Sequence, residues 1–302
     1  MMRRFTYLFT ACLLSIGMYG QQFQSFTQYQ WAGIIYNPAF AGADSSFRAL
    51  AIQRSQWSGI NDAPRSFQLA LDAPNRNRKM GFGGSVFTDV TGPTKRFGFF
   101  GTYAYNLKIS AKSNLRFGIS FGLTQFTIDG SQITLREAGD QSLNGGIQQE
   151  MKPDAAAGVL WKGEKFYLGL SATQILNNQL ELYGNNDGSV MAVHGFATGG
   201  YRFDLGEIFA IEPSFLMKAV KPVPIQFDLS ARMIYNKNLW LGATYRLDDA
   251  MAIFAGYQIL DYLTIGYSYD ITTSDIRNYS NGTHEIFIQI RFNRKQLLEE
   301  LN

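Results

Sequence analysis

The most constraining feature of this chain is a strict two-residue alternation in which neither face resembles a surface built for water. Between 115 and 124, Leu115, Phe117, Ile119, Phe121 and Leu123 alternate with Arg116, Gly118, Ser120, Gly122 and Thr124. Successive side chains of a strand point to opposite faces, so the pattern predicts a β-strand with one apolar face and one small, polar face. The same pattern recurs at 225–233, 263–270 and 285–292. Weaker versions lie at 47–54, 66–72, 80–89, 96–107, 155–162, 166–173, 190–203, 208–218, 239–246 and 250–259, which brings the candidate strands to fourteen.

The second face decides between two all-β architectures. A soluble sandwich needs a wet face rich in Lys, Glu and Thr. Here that face carries Gly, Ser, Ala, Thr and Gln with scattered Arg and Asp, as suits the crowded interior of a barrel. Leu, Ile, Phe and Tyr on the first face suit lipid contact. Only 17% of the 302 residues are charged, while Phe and Tyr number 24 and 16 and Gly 30. Soluble domains carry about 25% charged residues, so the shortage agrees with a lipid-facing wall. After residue 20 no run approaches the ~18 apolar residues of a membrane helix. The fold expected is therefore an antiparallel transmembrane β-barrel of the outer-membrane type with about fourteen strands.

Charge balance and composition exclude other classes. Lys and Arg total 27 against 24 for Asp and Glu, a net charge of +3. That excess is far too small for a nucleic-acid binder, and the apolar content excludes a disordered chain. At the amino terminus, Arg3 and Arg4 precede an apolar run from Phe5 to Tyr19, with the small Gly20 before Gln21. This pattern is that of a secretory signal peptide over 1–20. The only cysteine, Cys12, lies within it, so the processed chain has no thiol for disulfides, nucleophilic catalysis or metal ligation. Residues 21–43 are rich in Gln and aromatics and are expected to lie in or under the barrel as a plug-like segment. The barrel then occupies 44–293, with 294–302 as a tail.

Connection lengths carry a second signal. The connections expected at 55–63, 90–94, 129–153, 176–188, 219–223, 247–249 and 273–282 fall on one rim, several of them long, and those at 74–79, 108–113, 163–165, 204–206, 237–238 and 260–261, all short, on the other. Outer-membrane barrels place longer loops outside and tight turns in the periplasm.

Few residues point to catalysis. The two histidines, His194 and His284, each fall in a predicted strand, and the G-x-S-x-G run Gly118-Ile119-Ser120-Phe121-Gly122 also lies inside a predicted strand and not at the strand-to-helix turn of a nucleophile elbow. Gly81-Phe82-Gly83-Gly84 lacks the third glycine and the helix of a dinucleotide site, and reads as glycines facing a crowded interior. Trp31, Trp161 and Trp240 are assigned to an aromatic girdle at the membrane boundary. Trp57 falls in a loop, where recognition residues concentrate. No catalytic, metal or cofactor site is expected.

Three segments resemble the PorP/SprF family of outer-membrane proteins of type IX secretion and gliding in the Bacteroidota. The first is Tyr36-Asn37-Pro38-Ala39-Phe40-Ala41-Gly42, preceded by Phe26-Thr27-Gln28-Tyr29. The second is Arg54-Ser55-Gln56-Trp57-Ser58-Gly59, followed by Ala63-Pro64-Arg65. The third is Gly282-Thr283-His284-Glu285-Ile286, leading to Phe292, after which ten more residues follow where a barrel would usually close on its terminal aromatic.

The resemblance implies a non-enzymatic barrel that binds, secretes or anchors a large surface adhesin through the adhesin's C-terminal domain, alongside other type IX components. It also implies contact or motif roles for Asn37, Pro38, Phe40, Gly42, Arg54, Trp57, Gly59, Pro64, His284 and Glu285. Trp57 is the strongest candidate for contact, being aromatic and borne on a loop. Two other readings stay open at this point: a porin or hydrophobic-solute transporter, and a membrane hydrolase using His194 or His284.

Overall fold

A computed structural model describes residues 23–133, 146–181 and 189–292; the expected signal peptide and C-terminal tail lie outside them. Fourteen strands form the wall. They are β1 (Phe47–Ser55), β2 (Arg65–Pro74), β3 (Met80–Thr91), β4 (Thr94–Lys108), β5 (Ser113–Asp129), β6 (Ile147–Gly163) and β7 (Phe166–Thr173). Next come β8 (His194–Tyr201, continued by Phe203–Leu205), β9 (Phe209–Val220), β10 (Val223–Tyr235), β11 (Leu239–Arg246), β12 (Ala250–Leu260), β13 (Leu263–Thr272) and β14 (Thr283–Phe292).

Each strand pairs antiparallel with its neighbours in sequence, and β1 pairs with β14 from Phe47↔Phe292 to Ser55↔His284. The sheet is thus a closed up-and-down barrel. Closure leaves no lipid-facing edge, which matters because hydrocarbon offers no partner for free N–H and C=O groups. Outward positions such as Ile119, Phe121, Leu170, Leu241 and Ile253 are each more than half exposed. In water that much apolar surface would be strongly unfavourable; against acyl chains it is the required face.

The connections at 56–64, 130–146, 174–193 and 273–282 share one rim with the tight turns at 92–93, 221–222 and 247–249. Every connection on the opposite rim is short, and the chain enters β1 and leaves β14 there. The long-loop rim is the outer one by the usual asymmetry of such barrels. Short hairpins on the inner rim use left-handed backbone, as at Asn236 (φ 47°) and Lys237 (φ 63°), which matches the twist of the flanking strands.

Three expectations need correction. The connection expected at 129–153 shrinks to 130–146, because β6 begins at Ile147 and not at 155. Gln149 and Gln125 lie beyond the apolar belt, where outward residues meet water and the alternation signal fades. Trp31 and Trp240 are not girdle residues: their rings pack against each other inside the barrel, tilted by 37° with centroids 4.9 Å apart. Trp161 does face outward, half-exposed, near the inner rim. Finally, β8 starts at His194, four residues later than expected, and is interrupted at Arg202.

Candidate functional site

Residues 23–46 run along the inside of the barrel, from Phe23 near the outer mouth to Asp44 at the inner rim. The small face of the strands accommodates this backbone. The segment turns through one short helix, α1 (Gly33–Tyr36), and a 3-10 turn at Pro38–Phe40. Asn37 joins the two: its Oδ1 accepts from Ala39 N at 2.9 Å, and its Nδ2 donates to Val159 O at 3.0 Å and Leu170 O at 3.3 Å.

Pro38 supplies the fixed φ that starts such a turn, and Phe40 packs edge-on against Tyr167. A Cβ on Gly118 would overlap the Ala39 backbone, and one on Gly158 would overlap the Asn37 side chain. Gly81 and Gly83 likewise face Ala41 and Ile34, the crowded interior that their pattern implied. Gly42 takes a left-handed φ of 60° and donates its N–H to Asp72 Oδ1 at 2.9 Å.

Buried ionic contacts hold both ends of the segment. Toward the outer end, Arg54 Nη2 lies 2.7 Å from Asp270 Oδ2 and Nη1 lies 3.0 Å from Glu285 Oε2. The two oxygens of Glu285 accept the backbone N–H groups of Thr27 (2.8 Å) and Gln28 (3.0 Å). Thr27 Oγ1 donates to Asp270 and accepts from Arg54 Nη1 at 2.9 Å. Arg246 extends the cluster, 3.4 Å from Asp270 and 3.1 Å from Asp228. A buried charge is tolerated only when paired and hydrogen-bonded, so Arg54 and Glu285 require each other and the Thr27-Gln28 backbone.

Near the inner end, Arg48 pairs with Asp72 at 2.8 Å, and Arg116 donates to Ala39 O (2.9 Å) and Ala41 O (2.6 Å). Burial alone would raise the Asp44 carboxyl, but the Lys162 and Arg48 cations outweigh it and hold Asp44 well below the usual carboxylate range.

The outer mouth is a pocket of about 410 Å³. Its floor is Phe23 to Ser25, and its sides include Trp57, Pro64, Phe126, Leu180 and Lys95. Trp57 sits in left-handed backbone (φ 48°) and donates its N–H to Thr283 Oγ1 at 3.1 Å. Main-chain bonds Ser58 N→Gly282 O (2.8 Å) and Asn281 N→Ser58 O (2.7 Å) tie the 56–64 loop to the 273–282 loop. Gly59, at φ 94°, lies against Asn281 in this junction.

Residues 18–290 match the sequence family described as type IX secretion system membrane protein PorP/SprF. The chain belongs to this family. No curated protein matches it. Among solved structures it resembles the Ralstonia pickettii toluene transporter TbuX, with a TM-score of 0.56 at 10% identity over 86% of this chain and 93% of that one. It also resembles the monoaromatic hydrocarbon channel CymD, with a TM-score of 0.50 at 12% identity over 92% of this chain and 95% of that one. At such identities the likeness is one of fold. With the closed wall and lipid-facing belt, it makes this PorP/SprF member an outer-membrane barrel.

The residues that carried the family resemblance separate into four places. Asn37, Pro38, Phe40 and Gly42 lie in the lumenal segment, and Arg54 and Glu285 are buried where they hold it. Trp57, Gly59 and Pro64 shape the outer mouth. His284 faces outward between Tyr267 and Tyr269, with Nδ1 2.7 Å from Tyr267 Oη. His194 faces the lumen, with Nδ1 2.8 Å from Ala192 O and its ring 5.7 Å from that of Phe23. The two histidines therefore occupy opposite faces of the wall and do not converge on one site.

Asp228, Asp270 and Arg246 were not singled out from sequence. Their signal was present: a charged residue on the small face of an alternating strand must find a partner across the lumen.

Proposed function

We propose that this PorP/SprF barrel binds a large secreted adhesin at the cell surface and retains it there through the adhesin's C-terminal domain, with no catalytic step. The observation that supports the reading best is the use of the lumen. Residues 23–46 occupy it and are held at both ends, which supports a plugged barrel whose outer mouth serves as a receptor pocket instead of a pore entrance. In this reading Trp57, Gly59 and Pro64 meet the partner, and Asn37, Pro38, Phe40, Gly42, Arg54 and Glu285 shape the floor beneath it. Other type IX components are partners in delivery of the adhesin.

A pull-down of the adhesin's C-terminal domain by the purified barrel, paired with planar-bilayer recording, tests this. Retention of the domain without steady ion conductance is expected. Steady conductance without retention would favour the porin or hydrophobic-solute transporter reading, in line with the toluene transporter and the hydrocarbon channel among its structural neighbours.

A further inference from the structure

The outer rim is uneven where β6 meets β7. β6 pairs with β5 over its whole length, from Ser113↔Gly163 to Asp129↔Ile147. With β7 it pairs only from Lys162↔Tyr167 to Ala157↔Ala172. β7 ends at Thr173, opposite His194 where β8 begins. β6 therefore rises past its neighbour, and its upper half borders a notch whose floor is the outer ends of β7 and β8.

Backbone bonding fixes which groups face the notch. Ala155 O accepts from Ile175 N at 3.1 Å, and Pro153 O accepts from the Asn178 side chain. Backbone groups alternate between the two sides of a strand, so odd-numbered residues face the notch and even-numbered ones bond β5. Pro153 has no N–H to leave there, as suits a strand edge. Beyond it, the N–H and C=O groups of Ile147, Gln149 and Met151 have no partner among the described residues. From Ile147 to Pro153 this edge runs about 20 Å. It is open to approach, since Ile147 and Met151 are both more than half exposed.

Proteins that must avoid edge pairing blunt the edge with outward charges, a bulge or a very short strand. β6 has 17 residues and an unbroken register against β5. Its outward residues here, Ile147, Gln149 and Met151, carry no charge. The nearby charges, Glu150 and Lys152, lie on the lumenal face and pair with each other at 2.6 Å. Only the lower end is blocked, by Pro153.

Position selects the occupant. The notch opens on the outer rim, and the neighbouring strand β5 lines the outer-mouth pocket through Phe126, Thr127 and Ile128. A second barrel would lie beside the wall, whereas this edge points along the wall over β7 and β8. A segment arriving from outside the cell reaches it directly.

We propose that β6 receives an extended segment of the secreted adhesin's C-terminal domain, which adds as a further strand along Ile147–Pro153. The main chain of Ile147, Gln149 and Met151 supplies the bonds, and the segment places apolar or β-branched residues opposite Ile147 and Met151. This rests on the receptor reading above and names the mode of contact.

The test uses the full processed barrel in detergent with the purified C-terminal domain. Read residue by residue, the amides of Ile147, Gln149 and Met151 should exchange fast in the barrel alone. With saturating domain they should slow by about tenfold or more, while Gln148 and Glu150, bonded to β5, stay slow throughout. The pair Gln149→Pro and Met151→Pro removes two notch-facing N–H groups, as Pro153 already does one position below. It should weaken binding about tenfold or more. The pair Gln149→Ala and Met151→Ala keeps both N–H groups and should stay within about threefold of wild type. Heat-modifiable migration checks that both variants fold.

Binding with unchanged exchange at the three amides, or with equal loss in the Pro and Ala pairs, would overturn strand addition and leave the receptor reading in place. No binding to the wild-type barrel would overturn both. Slow exchange at these amides in the monomeric barrel alone would overturn the proposal in favour of a strand from the same chain. Slow exchange appearing only as the barrel dimerises would overturn it in favour of a second copy.

Discussion

Substitution of Arg54 by Met removes the cation at the centre of the outer cluster while keeping an apolar stem of similar reach. The structure sets the scale of the loss. Arg54 is 2% exposed and makes three contacts, to Asp270 at 2.7 Å, Glu285 at 3.0 Å and Thr27 at 2.9 Å. Removing one partner of a buried pair costs about 3–5 kcal/mol, because the other charge stays buried. Here two carboxylates are left behind, but neither is wholly abandoned. Asp270 keeps Arg246 at 3.4 Å, and Glu285 keeps the N–H groups of Thr27 and Gln28.

The expected cost is therefore near the lower end, about 3 kcal/mol. It should be concentrated in the docking of the segment rather than in the strand ladder. Arg54→Lys keeps the charge and loses the forked geometry, and should cost about 1–2 kcal/mol. The double variant Arg54→Met/Glu285→Met should recover part of the loss, since no carboxylate is then stranded at that position.

The assay has two readouts: the urea midpoint of the detergent-solubilised barrel, and protease cleavage between Phe23 and Asp44. Arg54→Met should expose the segment to cleavage while the barrel stays heat-modifiable. A cost below about 1 kcal/mol with the segment still protected would refute the reasoning, since that is the scale of an exposed pair.

Three further outcomes follow from the same geometry. Gly118→Val places a branched side chain where the Ala39 backbone lies, so residues 23–46 should lose protease protection while barrel migration is unchanged. Trp57→Ala should weaken retention of the adhesin domain by about tenfold or more, on the scale of an aromatic hot spot, with the urea midpoint within about 0.5 kcal/mol of wild type.

The third outcome concerns acid. Asp44 is held below the usual carboxylate range by Lys162 and Arg48. A depressed folded value means that its contribution is present above the unfolded value of about 3.9 and is lost as pH falls through the lower folded one. The inner rim should hold to about pH 4 and weaken below it, by under about 1 kcal/mol given the partial exposure. Asp44→Asn should flatten that acid limb in pH-dependent unfolding.

The wall was legible in the sequence because lipid forces an apolar residue at every second position of the belt, as at Leu115 through Leu123 on β5. Legibility failed where that force ends. Gln149 and Met151 of β6 lie at or beyond the belt, so the strand extends upward without an alternation signal. It failed again inside the lumen, where Trp240 occupies an inward position that composition alone assigns to a girdle.

The motif residues could be seen as unusual but not placed. Arg54 and Glu285 are far apart in sequence and meet only because β1 closes on β14. Asn37 needs the glycines of β5 and β6 to make room for the turn it caps. The lumenal Trp31–Trp240 ring contact left no sequence mark, since the two residues come from separate elements brought together by closure.

The central claim is that the barrel is a surface receptor for one secreted adhesin and not an open pore. Its most direct test is the cell-surface protein profile of a strain lacking the barrel, compared with one expressing it again. Loss of one large adhesin from the surface, with other secreted proteins retained and the adhesin restored on re-expression, is the predicted result. An unchanged surface profile would contradict the account.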